Sequence, residues 1–78
     1  MQINDFANRL KLLITYLDMT QKEFANYVKI RESSISDWCL GKCNPSQKNF
    51  KKIILATKVS PTWLMGYGSD DEIENTIR

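Results

Sequence analysis

The sequence predicts an all-α protein, a compact arrangement of five short helices, on three observations. Apolar residues recur at three- and four-residue spacing in successive segments. Helix-starting and helix-stopping residues stand at the ends of those segments. No stretch shows the two-residue alternation of a half-buried strand.

The first helix is expected over residues 4–17, where Asn4 or Asp5 suits the start and Phe6, Leu10, Leu13 and Leu17 share a face. The second begins at Thr20, because Thr20 and Glu23 form a capping box: the hydroxyl accepts from first-turn amides and the carboxylate reaches back to the cap amide. It continues to about Val28 with Phe24, Ala25 and Val28 turned inward. The third is expected from about Arg31 to Leu40, with Ile35, Trp38 and Cys39 on its apolar side and Gly41 at its end. Lys42-Cys43-Asn44-Pro45 reads as a loop. Ser46 then caps a fourth helix, apolar along Phe50, Ile53, Ile54 and Ala56 and charged along Lys48, Lys51 and Lys52. Ser60 with Pro61 at the first helical position opens a short fifth helix carrying Trp63 and Leu64, which Gly66 is placed to end. Both tryptophans fall on apolar stripes and are assigned to the core.

A chain of 78 residues holds one domain, near the lower size at which a core suffices without disulfides or metals. Residues 1–68 are assigned to that domain and residues 69–78 to an acidic tail or linker. Ser69 and Glu72 offer a further capping box there, with Ile73 and Ile77 one turn apart, but so short a helix has little stability of its own. Charge follows the same division. The net charge is only +2, yet residues 1–68 carry ten Lys or Arg against five Asp or Glu, while the last ten residues carry four acids against Arg78. A basic body suits a polyanionic partner.

The chain has no histidine, which removes imidazole catalysis and His-liganded metal sites. Cys39 and Cys43 are half of a zinc set with nothing of the usual kind to complete it, so Cys39 is assigned to the core and no metal is expected. No nucleophile and base pair or phosphate-binding loop is present, and neither an enzyme nor a cofactor is expected. The charged, amphipathic first twenty residues fit neither a signal peptide nor a membrane span, and reduced thiols agree with a cytoplasmic protein.

Met19–Lys42 is therefore two short helices joined by a tight turn, the second with a polar outer face: the layout of a helix-turn-helix DNA reader. TQKEFA, then Ile30, then ISDW, then Gly41-Lys42 resembles the lambda-type phage repressor and Cro family, also called the XRE helix-turn-helix family. Phe6, Leu10 and Leu13 match its first-helix core positions, and VSPTWL at Val59–Leu64 matches the ending of many such domains. The resemblance implies a lambda-repressor-like fold and a DNA-binding transcriptional regulator, most simply a phage or prophage-type repressor. Two positions depart from the pattern. Lys29 stands where the turn usually carries Gly, so a residue with a Cβ is expected to hold a left-handed conformation. Arg31 replaces the usual Ser cap and cannot accept from the helix amides.

Stepping around the third helix from an inward Ile35 leaves Ser33, Asp37 and Leu40 outward, flanked by Ser34 and Ser36. The resemblance places the start of this helix near base edges, which adds Glu32. It also gives Gln21 a phosphate contact at the positive end of helix 2 and gives Lys42 and Asn44 a second phosphate clamp, with Arg31 and Lys29 in reach by position. The partners expected are a double-stranded DNA operator and a second copy of the chain in a weak dimer, formed near Trp63, Leu64, Met65 and Tyr67. The competing reading is a protein-binding module on the same fold, antitoxin-like or an adaptor. Glu32 and Asp37 carry the wrong sign for phosphate, and Leu12, Ile14 and Leu40 look like surplus apolar surface for such a partner.

Overall fold

In the computed structural model, residues 5–68 and 73 are described. Five helices follow one another, α1 Asp5–Tyr16, α2 Gln21–Val28, α3 Glu32–Cys39, α4 Gln47–Thr57 and α5 Pro61–Leu64, with no strand among the described residues. The expected Asn4 start, the Ser69–Glu72 capping box and Ile77 lie outside the described residues.

The caps form where the side chains allow them. Thr20 Oγ1 accepts from the Glu23 amide at 3.1 Å and Glu23 Oε1 accepts from the Thr20 amide at 2.8 Å, which completes the capping box. Ser46 and Ser60 accept from the amides of Asn49 and Trp63, and Pro61 occupies the first turn of α5. Arg31 supplies no side-chain bond to α3.

At the other ends the chain repeats one device. Asp18 (φ 58°), Lys29 (φ 64°), Gly41 (φ 76°) and Gly66 (φ 108°) each turn the backbone left-handed. The amide after each reaches five residues back: Met19 to Ile14, Ile30 to Ala25, Lys42 to Asp37 and Tyr67 to Thr62, at 3.0–3.2 Å. These bonds use carbonyls that a helix end would otherwise leave open. Lys58 (φ 63°) closes α4 with a shorter bond, from its own amide to the carbonyl of Ile54.

Helix α1 packs on α3 and α5, and α2 packs on α3 and α4. Leu10, Leu13, Phe24, Ile35, Ile53 and Leu64 are fully buried between them, and Trp38 and Trp63 are buried as expected. The Phe6 ring meets Trp38 edge-on with centroids 6.4 Å apart and lies 6.1 Å from Phe50, joining α1, α3 and α4. Ile14, expected as surplus surface, is buried because it shares the inward side of α1 with Leu10 and Leu13; Leu12 and Leu40 are exposed. Near the chain end the expected apolar cluster divides: Trp63 and Leu64 are in the core, whereas Met65 and Tyr67 face outward. Ile73 is also buried in the core cluster, so a residue of the expected tail packs with the domain.

Candidate nucleic-acid interface

The outward side of α3 is defined by what its inward side buries. Ile35, Trp38 and Cys39 hold the helix against α1 and α2. Burial pushes the Cys39 thiol up, with Lys11 opposing the shift, so it packs as a neutral side chain. With those positions fixed, Glu32 and Ser33 are exposed and Ser34, Ser36 and Asp37 are half-buried, with Ser33 and Asp37 opposite Ile35 and the other two serines flanking them.

The remaining candidates lie before and after α3 in the chain. Gln21 is the first residue of α2, half-buried, directly after the capping box. Capping uses the Glu23 amide, and Gln21 stands at the positive end of the helix. Arg31 is exposed in the turn, and Lys42 and Asn44 are exposed in the loop after α3. Two of these residues meet: Lys42 Nζ lies 4.0 Å from Asp37 Oδ1, with the side chains 66% and 48% exposed. A pair so open to water is worth about 0–1 kcal/mol and is easily exchanged for another partner. No other pair of the nine candidates is bridged by a described side-chain hydrogen bond or ion pair.

The turn between α2 and α3 is held from behind by α4. Tyr27 donates its hydroxyl to the Ala56 carbonyl at 2.8 Å, and Lys52 Nζ donates to the Lys29 carbonyl at 3.4 Å. Sequence reasoning assigned Lys52 only to a charged side and passed over Tyr27. Neither contact has a local signal, since each joins residues more than twenty positions apart.

Arg9 was missed for a different reason. It counts as one of the basic residues, yet it is 7% exposed and unavailable to a polyanion. Nη1 donates to the carbonyls of Trp63 (2.9 Å) and Tyr67 (3.1 Å), and Nη2 to those of Gly66 (3.4 Å) and Gly68 (2.6 Å). Its Cζ stands 4.8 Å from the centroid of the Trp63 ring. A signal existed: Arg9 lies three residues after Phe6 and four before Leu13, within the buried stripe.

Comparison with known proteins agrees with this geometry. The helix-turn-helix family model matches residues 10–64. The HTH-type transcriptional regulator DicA of Escherichia coli (strain K12) is 34% identical over 66 residues, which is 85% of this chain and 48% of that protein. The chain thus spans about half the length of the curated relative it matches. No solved structure gives a significant match. With its five helices, its capped α2, its tight turn and its inward-anchored α3, the chain belongs to the XRE-type helix-turn-helix family and has the lambda-repressor-like fold.

Proposed function

We propose that the protein is a sequence-specific regulator of transcription that binds double-stranded DNA and reads the major groove with α3, most simply as a phage or prophage-type repressor. The observation that carries this reading is the division of α3 itself, with Ile35, Trp38 and Cys39 buried and Glu32, Ser33 and the Asp37 side left open between Gln21 and Lys42. Serines give and accept hydrogen bonds at bases or phosphates, and a carboxylate accepts from the cytosine amino group. Gln21, Arg31, Lys42 and Asn44 serve the backbone. The similarity to a protein named a transcriptional regulator supports the same reading.

Because this face lacks Arg, Asn and Gln, the side chains of the strongest bidentate base contacts, one copy binds weakly and a two-fold dimer on an inverted repeat supplies the rest. Exposed Met65 and Tyr67, just beyond α5, offer the apolar area for that dimer. The test is a gel shift across a salt series, followed by footprinting. Affinity should fall steeply with salt, and Lys42→Ala should weaken binding to all sequences and reduce the salt slope by about one unit. Salt-independent binding would refute the reading, and a single unrepeated half-site at saturation would remove the dimer.

A further inference from the structure

We infer that Leu40 determines sequence preference by packing on the 5-methyl group of a thymine near the end of each half-site. The inference rests on the proposed reading of DNA by α3. Ser33, Asp37 and Leu40 stand four and three residues apart and so line one side of the helix. Leu40 keeps to that line because its backbone is still right-handed, at φ −84° and ψ −5°, and its amide still donates to the Ser36 carbonyl at 3.0 Å. The core does not use it, since Trp38 and Cys39 just before it turn inward. At 67% it is the most exposed large apolar side chain among the described residues.

A single exposed leucine on an ordinary surface needs no explanation. This one ends the row of side chains offered to the groove, two residues before exposed Lys42. A leucine cannot give or accept a hydrogen bond, so against most base edges it would only strip water from polar atoms. The thymine methyl is the apolar group that the major groove presents, and Leu40 complements it as Asp37 complements a cytosine amino group.

The experiment begins with binding-site selection using the full chain. Each thymine of the selected operator is then replaced in turn by deoxyuridine, which removes the methyl group alone. At one thymine per half-site the replacement should weaken binding about fourfold, the effect of roughly 0.8 kcal/mol for one buried methyl group. Leu40→Ala, which removes the contact from both half-sites, should bind the thymine operator about sixteenfold more weakly and should no longer respond to deoxyuridine there, with its thermal unfolding unchanged because the side chain is exposed. A selected motif in which no thymine methyl matters, or in which Leu40→Ala keeps the same methyl dependence, overturns this inference and leaves the DNA-reading function standing. Failure to select any sequence overturns both.

Discussion

The turn after α2 and the turn after α5 use the same backbone device and are secured in opposite ways. Each has a left-handed residue, Lys29 or Gly66, and an amide that reaches five residues back. Behind the first turn stand two exposed contacts with α4, the Tyr27 hydroxyl donating to Ala56 and the Lys52 ammonium donating to Lys29. Behind the second stands Arg9, buried, collecting four carbonyls and covering the face of Trp63. Contacts open to water contribute little each, whereas charge-assisted bonds at a buried site contribute more and cost more to lose. The difference suits position. A turn that, on the proposed function, stays open to DNA cannot be wrapped in core, so it depends on local capping, while the far end is free to be sealed.

The comparison breaks first at Arg9. Arg9→Met keeps the apolar stem and leaves the carbonyls of Trp63, Gly66, Tyr67 and Gly68 without their donor. Urea unfolding should show a loss of about 1.5–3 kcal/mol, the range for hydrogen bonds to a charged group, because the Trp63 carbonyl keeps the Gly66 amide and the exposed Tyr67 and Gly68 carbonyls can turn to water. Arg9→Lys should recover only part, because one ammonium cannot span acceptors that a planar guanidinium reaches with two nitrogens. A loss below about 1 kcal/mol for Arg9→Met would mean that the apolar contacts of Trp63 and Leu64 alone hold the chain end.

This contrast also separates what is legible in the sequence from what is not. The boundaries of α2, α4 and α5 are legible because Thr20-Glu23, Ser46 and Ser60-Pro61 act on amides within one turn. The left-handed Lys29 is legible only through the family resemblance, in which that turn position usually carries glycine. The outward face of α3 follows from an inward Ile35 and helical spacing alone. Arg9 is hidden because its partners are more than fifty positions away and because charge counts treat every arginine as surface. The burial of Ile73 is hidden likewise: acidic neighbours make its segment read as tail, and only the core shows where that one side chain goes. The choice of Lys42 as the partner of Asp37 is not legible, since two flexible side chains at five-residue separation have many other choices.

A smaller effect tests whether local capping carries the open end. Thr20→Ala removes the acceptor for the Glu23 amide and leaves Glu23 with half of its reciprocal pair. The expected loss is about 1 kcal/mol. Ser46→Ala should cost less, because Ser46 makes a single longer bond of 3.3 Å to the Asn49 amide. Thermal unfolding of the two variants side by side checks the order, and Thr20→Ser should restore most of the first loss. Equal losses would show that the shorter bond to Thr20 contributes no more than the longer bond to Ser46.

The smallest effect has the opposite sign and concerns the residue at the centre of the open turn. Lys29 holds φ 64° and ψ 44°, and Lys58 holds a similar φ of 63° at the end of α4. A residue with a Cβ gives up roughly 1–2 kcal/mol in this conformation, whereas glycine avoids the clash and loses about 0.4–1 kcal/mol through the greater freedom of the unfolded chain. Lys29→Gly and Lys58→Gly should therefore each raise stability by about 0.5 kcal/mol. The bond from Lys52 to the Lys29 carbonyl should survive, because it uses backbone. DNA binding should then divide the pair: Lys29 is within the reading end, so its replacement should weaken affinity for all sequences and flatten the salt dependence, while Lys58→Gly should leave both unchanged. If Lys29→Gly lowers stability instead, the lysine stem contributes packing at the turn that outweighs its backbone strain, and the two ends are less different than their burial implies.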